Sequence, residues 1–244
     1  MLPRSAIRSV LWERRIPIFN QGATGACTGY ALVGVLGTDS AERAGARSVT
    51  VKADPFGVFT AGRHTLDEAF AVKVYSLNTR TDPFAGTFPP HDTGSNGLAA
   101  GATGKTLGLL DSYTHAFSMD ALRTALQSGP VMWGTLWLRS MYDVDRDGFL
   151  IVDRDSAEAG GHELVISGYD ADEDFFTVQN SWGTEWGTDG YARVRAEDMA
   201  WLLAQDGDVT VPHLASPEAS ATSSADETLL RVFVAWAKAK GMPV

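Results

Sequence analysis

Cysteine occurs once in the 244 residues, at Cys27, so a sulfur nucleophile has only one place to be. A free thiol is mostly protonated at neutral pH and needs a helix N-terminus or a cationic neighbour to become a thiolate. Residues 17–26, Pro-Ile-Phe-Asn-Gln-Gly-Ala-Thr-Gly-Ala, read as a glycine-bearing loop that delivers Cys27 to the head of a helix. Of the five histidines (64, 91, 115, 162 and 213), only His162 stands in a context with geometric consequences. It opens the apolar run His162–Tyr169, which a turn at Asp170–Asp174 sends back as Phe175–Gln179. Positions 162 and 180 are equidistant from residue 171, so an antiparallel hairpin brings Asn180 opposite His162. The Asn180 carbonyl can hold one imidazole nitrogen and leave the other for the thiol, with Trp182 shielding that bond from water. Gln21 lies six residues before Cys27, and its amide with the Cys27 N–H could stabilise an oxyanion. Taken singly, each residue has a bland reading: a buried small hydrophobe, a surface histidine, a strand end. Together they form a Cys/His/Asn site.

The elements that must carry these residues are of two kinds. Cys27 to about Ala44 suits a buried helix, provided that close packing offsets Gly29, Gly34 and Gly37. Residues 78–97 are loop, Leu98–Leu110 looks helical, and Met119–Ser128 is a helix with Ser118 as N-cap and Gly129-Pro130 as its stop. Thereafter Val131–Leu138, His162–Tyr169, Phe175–Gln179 and Gly190–Val194 are β-rich. Helices first and antiparallel strands later predict an α+β protein of two lobes. Residues 1–213 should be the folded domain, 214–226 a Ser/Ala/Pro linker, and 227–244 a C-terminal amphipathic helix that docks on its own body or on a partner.

Composition narrows the function classes. Twenty Lys plus Arg against thirty Asp plus Glu leave a net charge of −10, which argues against a phosphate-binding surface and hence a nucleic-acid partner. No apolar run suits a signal peptide or a membrane span, so a cytoplasmic location without membrane association is expected. A single cysteine allows no internal disulfide and argues against a structural zinc site.

These residues resemble the papain-like cysteine peptidases. Gln21 keeps the family's six-residue spacing to Cys27, and Gly161-His162 through Gly168-Tyr169 is similar to its histidine segment. Asn180-Ser-Trp-Gly-Thr-Glu-Trp-Gly-Thr-Asp-Gly-Tyr191 reproduces its most specific motif. The resemblance spans about residues 12–212 and implies a helical left lobe, an antiparallel β-barrel right lobe and a cleft between them. It implies a cysteine-type peptidase, with endopeptidase action expected, that cuts peptide or protein substrates through a thiolate–imidazolium pair and an acyl-enzyme. Cys27 is then the nucleophile, His162 the proton shuttle, Asn180 its orienter and Gln21 an oxyanion donor; no metal or organic cofactor is called for. Asn96, Gly97, Leu98, Gly134, Glu163 and Trp182 are the implied substrate-binding positions. Gly134 and Glu163 suggest a roomy pocket that tolerates a basic side chain. Thr24 and Ser95 occupy positions where many members pair two cysteines, and no propeptide of the usual length precedes Ile16. In both respects the chain is similar to bacterial or bacteriophage members.

Other motifs weigh less. Ala99–Thr106 matches a permissive phosphate-loop pattern, but no strand precedes it, so a plain helix is expected. Asp143, Asp145 and Asp147 copy the first half of a calcium loop, but Arg154 stands where a bidentate Glu is wanted, so a solvated turn is the preferred reading. Two alternatives for the whole chain are a disabled peptidase scaffold used as a binding module, and a cysteine amidase or peptidoglycan hydrolase.

Overall fold

A computed structural model describes residues 1–215. The expected linker, apart from its first two residues, and the expected C-terminal helix lie outside the described residues. In chain order the elements are β1 (Val10–Leu11), α1 (Cys27–Leu36), β2 (Ser48–Val51), β3 (Gly62–Thr65), α2 (Glu68–Asn78), α3 (Gly97–Thr106) and β4 (Leu110–His115). Then follow α4 (Met119–Leu126), β5 (Val131–Leu138), β6 (Glu158–Asp170), β7 (Phe175–Gln179), β8 (Tyr191–Arg195), α5 (Ala196–Ala204) and β9 (Asp208–Leu214).

Helix α1 is buried along all ten residues, which is why it tolerates glycine. A Cβ on Gly29 would meet the backbone of Ala71 and lie 2.8 Å from Tyr75 N, so α1 and α2 approach backbone to backbone there. A Cβ on Gly34 would lie 2.8 Å from both Arg14 Nη1 and Val165 Cγ2, on the side facing β6. Leu32, Val33 and Leu36 of α1, Tyr75 and Leu77 of α2, and Leu107 beyond α3 fill this helical half. The helix stops at Leu36, short of the expected Ala44. Ile16 and the Gly45 segment pack directly on Gly37, where no side chain fits, and the Thr38 hydroxyl turns back onto the Gly34 carbonyl at 2.7 Å.

Side-chain caps start α2, α3 and α4. Asp67, Asn96 and Ser118 accept hydrogen bonds from Phe70, Ala99 and Ala121 N–H respectively. Helix α3 contains Ala99–Thr106, so the phosphate-loop look-alike is helix interior. It ends before Leu110 because Gly108, at φ +74°, takes a left-handed turn that β-forming Leu109 and Leu110 then leave as β4.

The strands form an antiparallel sheet in the order β4-β9-β5-β6-β7-β8, with β1 pairing the far part of β6. Strand β6 is the spine: it pairs β5 from Val131↔Ile166 to Leu138↔Glu158 and β7 from Val165↔Gln179 to Asp170↔Phe175. Trp133, Ile166, Phe176, Val178, Leu122 and Leu202 are among the residues buried with it. The architecture is the α+β one expected, but the sheet is not a closed barrel. The outer edge of β8 is occupied by residues 148–150, through Arg193 N–H to Gly148 O and Leu150 N–H to Arg193 O at 2.8 Å each, so β4 never reaches it.

Candidate active site

Cys27 is the first residue of α1, and no side chain caps that helix. The first N–H groups of the helix are therefore left to the sulfur and to the cleft. The thiol is buried, with the backbone N–H groups of Glu163, Thr28 and Cys27 itself acting on it. Those donors favour the thiolate, but burial, helped by the nearby Glu163 carboxylate, outweighs them and pushes the thiol up to about 12.

His162 sits on β6, with Nε2 2.7 Å from Asn180 Oδ1. The hairpin register differs from the symmetric one expected. Asp170 pairs Phe175, so the hairpin turns about residues 172–173 instead of 171; even with the bulge at Ser167, Val165 pairs Gln179 and Asn180 lies diagonal to His162 instead of opposite. Asn180 Oδ1 also accepts the Ser181 N–H at 2.8 Å, which fixes the amide relative to its own backbone. Trp182 stacks on the imidazole with centroids 4.5 Å apart and planes at 24°, and Tyr142 stacks on the other side of Trp182 at 5.3 Å. Trp137 meets the same imidazole edge-on at 4.9 Å. This apolar wrapping drives His162 down to about 4, although the Asn180 bond works in the opposite sense. Burial thus acts on both members of the thiolate–imidazolium pair expected from the sequence, raising the thiol and lowering the imidazole.

Gln21 is held at both ends of its amide. Its Nε2 donates to Thr24 O at 2.7 Å, and its Oε1 accepts the Ser181 hydroxyl at 2.6 Å. A backbone bond from Gln21 N–H to Ser181 O, 2.8 Å, and one from Gly183 N–H to Phe19 O, 2.9 Å, zip the loop before Cys27 onto the segment after Asn180. One Nε2 hydrogen is spent on Thr24; the other remains for the cleft.

Gln21, Cys27, His162 and Trp182 line one cleft of about 820 Å³, with Asn96, Gly97, Gly134 and Glu163 in its walls. Leu98 is not among the lining residues. Because α3 already begins at Gly97, Leu98 falls in its first turn and is half exposed. Gly134 is the cross-strand partner of Glu163, and a Cβ on it would lie 2.8 Å from Glu163 Oε2 and against Asp208. A Cβ on Gly97 would lie 2.9 Å from Glu163 Oε1 and 3.4 Å from Asp208 Oδ2. The two glycines thus open a recess with two carboxylates at its base. Burial raises the pKa of both, Glu163 well above the usual carboxylate range, and the Asp208 charge adds to the rise at Glu163. Glu163 Oε1 is buried without a hydrogen-bond partner among the described residues.

Asp208, Ser181, Trp137 and Tyr142 belong to the site although the sequence reading did not name them. Asp208 had a legible signal, an acidic residue opening the β-forming run Val209-Thr210-Val211, but nothing in the sequence pairs it with Glu163.

No group of three or more His, Cys, Asp or Glu side chains among the described residues is placed to hold a metal ion. At the calcium-like turn, Asp145 Oδ1 accepts the Asp147 and Phe149 N–H groups at 2.9 Å each, and Oδ2 pairs with Arg195 at 3.2 Å. Asp143, Asp145 and Asp147 therefore belong to a turn whose central carboxylate is already engaged. No helix among the described residues is long and apolar enough to cross a membrane.

Residues 95–206, which carry both His162 and Asn180, match the family model described as papain family cysteine protease. Over those residues the chain matches the papain family. A cathepsin B-like protein, CP3 of Giardia intestinalis, is 28% identical over 191 residues, covering 72% of this chain. The chain spans 63% of the length of that relative. In fold it is similar to xylellain, a cysteine protease from Xylella fastidiosa, with a TM-score of 0.53 and 17% identity over 87% of this chain and 88% of that one. It is similar also to digestive procathepsin L 3 of Tenebrio molitor larval midgut, with a TM-score of 0.50 and 20% identity over 87% of this chain and 71% of that one.

Proposed function

We propose that this chain is a cysteine peptidase in which Cys27, His162, Asn180 and Gln21 do the chemistry. The observation that carries the reading is the placement of Cys27 at the head of α1 in the same cleft as an imidazole whose Nε2 is tied to Asn180 Oδ1 at 2.7 Å. With Nε2 tied to Asn180, the proton traffic belongs to Nδ1.

Burial disfavours charge on both groups, so in this reading proton transfer accompanies attack instead of preceding it. Cys27 Sγ bonds to the scissile carbonyl carbon while its proton passes to His162 Nδ1. The carbonyl oxygen becomes an oxyanion that the Cys27 N–H and the free Nε2 hydrogen of Gln21 stabilise. His162 then hands the proton to the leaving nitrogen as the C–N bond breaks, which leaves a thioester. Water adds to that carbon and gives a proton to Nδ1; the C–S bond breaks and the sulfur takes the proton back. Asn180 and the Trp182 ring keep the imidazole in plane throughout.

The recess between Gly97 and Gly134 would accept a basic substrate side chain, because a guanidinium or ammonium supplies the countercharge that Glu163 lacks. The binding-module alternative leaves the tied imidazole and the doubly held Gln21 amide without a task, and the papain-family match over residues 95–206 argues against the amidase one. Cleavage of a peptide library tests the reading: the wild-type chain should hydrolyse peptides and Cys27→Ala should not. Equal cleavage by both would overturn it.

A further inference from the structure

The loop before Cys27 is pinned by a carboxylate that the catalytic chemistry does not use. Asp92, on the loop ahead of α3, accepts the Gly25 N–H with both oxygens, at 2.9 and 3.1 Å. The same carboxylate accepts the hydroxyl of Tyr75, a fully buried residue of α2, at 2.5 Å. Tyr75 in turn accepts the Gly94 N–H at 3.0 Å, so the carboxylate is fixed to the helical half of the molecule before it reaches the loop. A Cβ at position 25 would lie 2.7 Å from Asp92 Oδ1, and only glycine admits so close an approach.

The peptide group that Asp92 holds is the one that holds Gln21. Gly25 N–H and Thr24 C=O are two ends of a single planar amide. Asp92 grips the N–H end, and Gln21 Nε2 donates to the C=O end at 2.7 Å. A carboxylate at the N–H end also polarises the amide so that its oxygen accepts more strongly. We propose that Asp92 is a positioning residue that sets the Gln21 side-chain amide through the Thr24–Gly25 peptide. The Ser181 hydroxyl fixes Gln21 Oε1 and the Asp92-held peptide fixes one Nε2 hydrogen, so the second Nε2 hydrogen has a defined direction. The inference rests on the reading that this second hydrogen faces the oxyanion.

The test combines kinetics with a probe that does not need turnover. Asp92→Ala, Asp92→Asn, Gln21→Ala and the Asp92→Ala/Gln21→Ala double variant are compared on one peptide substrate, after circular dichroism shows each to be folded. Asp92→Ala should lower kcat about tenfold with little change in KM, and Asp92→Asn, which keeps an acceptor for Gly25 N–H, should recover most of it. In the Gln21→Ala background Asp92→Ala should cost less than about twofold, since the residue it positions is gone. Losses that multiply would overturn the proposal, as would an Asp92→Ala protein with full kcat. In ¹⁵N-labelled protein the Gln21 side-chain amide resonances, identified by their loss in Gln21→Ala, should move in Asp92→Ala and return toward wild type in Asp92→Asn. Unmoved resonances would overturn the proposal whether or not the chain cleaves peptides. Moved resonances in a wild-type chain that cleaves nothing would sink the peptidase reading and leave the positioning relay standing.

Discussion

His162 and Asn180 are joined by a 2.7 Å hydrogen bond although they are not cross-strand partners. The hairpin turns about residues 172–173 so that Gln179 meets Val165, and Asn180, just past the last paired residue, reaches diagonally across to the imidazole. The bond exists because Asn180 leaves the ladder where β6 continues to Glu158. Removing the amide should therefore free the ring to rotate without disturbing the sheet. Asn180→Ala is expected to lower kcat by about 10–100-fold with KM nearly unchanged, the scale of a misoriented catalytic group. Steady-state kinetics on a peptide substrate measure it; a change in KM alone would contradict the assignment.

The buried imidazole also makes stability depend on pH. Its folded pKa, about 4, lies below the 6.5 of a free histidine, so between these values the unfolded chain takes up a proton that the folded chain refuses. Stability should be present in full above pH 6.5 and fall as the pH drops toward 4, by on the order of 3 kcal/mol from this residue. Urea unfolding of wild type and His162→Gln at pH 7 and pH 4.5 isolates the effect. The wild type should lose the more stability on acidification, and equal losses would contradict the burial argument.

Glu163 works in the opposite direction. Its folded pKa is raised, so the unfolded chain ionises first as the pH climbs above the usual carboxylate value, and the folded state loses stability over that rise. Glu163→Gln should thus be more stable than wild type at neutral pH, with the gap closing below pH 4.5. The same variant should lose preference for Arg over Leu in the recess, and wild-type preference for Arg should grow with pH as the carboxyls ionise. Peptide-library profiles at two pH values measure this; a profile unchanged by pH and by the substitution would remove the basic-pocket reading.

Alanine normally favours a helix over glycine by about 1 kcal/mol. At Gly29 packing should win, because the added Cβ would meet the Ala71 backbone and lie 2.8 Å from Tyr75 N, neither of which can yield without separating α1 from α2. Gly29→Ala is expected to destabilise the fold by about 1–3 kcal/mol, read by thermal or urea unfolding, and a stabilised variant would contradict the close approach.

What could be read in advance was local. The Asp170–Asp174 turn brings His162 and Asn180 together within one hairpin, and the Gly-rich run before Cys27 marks a loop entering a helix, so these residues declare their relation within a few positions or across one turn. Gln21, by contrast, acquires its orientation from Ser181, 160 residues away, and from a peptide that Asp92 holds. Glu163 and Asp208 meet only because β9 lies on the far side of β5, a topology that no spacing reveals. Leu98 lies off the cleft lining for a local reason: Asn96 caps α3, and the side chain falls on the exposed face of its first turn. Barrel closure failed to appear because residues 148–150, read only as part of an acidic turn, take the edge of β8.

The central claim is that Cys27 is a nucleophile set in a cleft beside His162, and it can be tested without knowing the natural substrate. The folded chain is incubated with a peptidyl epoxide that mimics a substrate of papain-family enzymes, and its mass is read intact and after digestion. One adduct, on Cys27, that forms far more slowly in His162→Ala and is absent in Cys27→Ala is the predicted result. Folded wild-type protein that gains no adduct, or gains it equally fast without His162, would contradict the account.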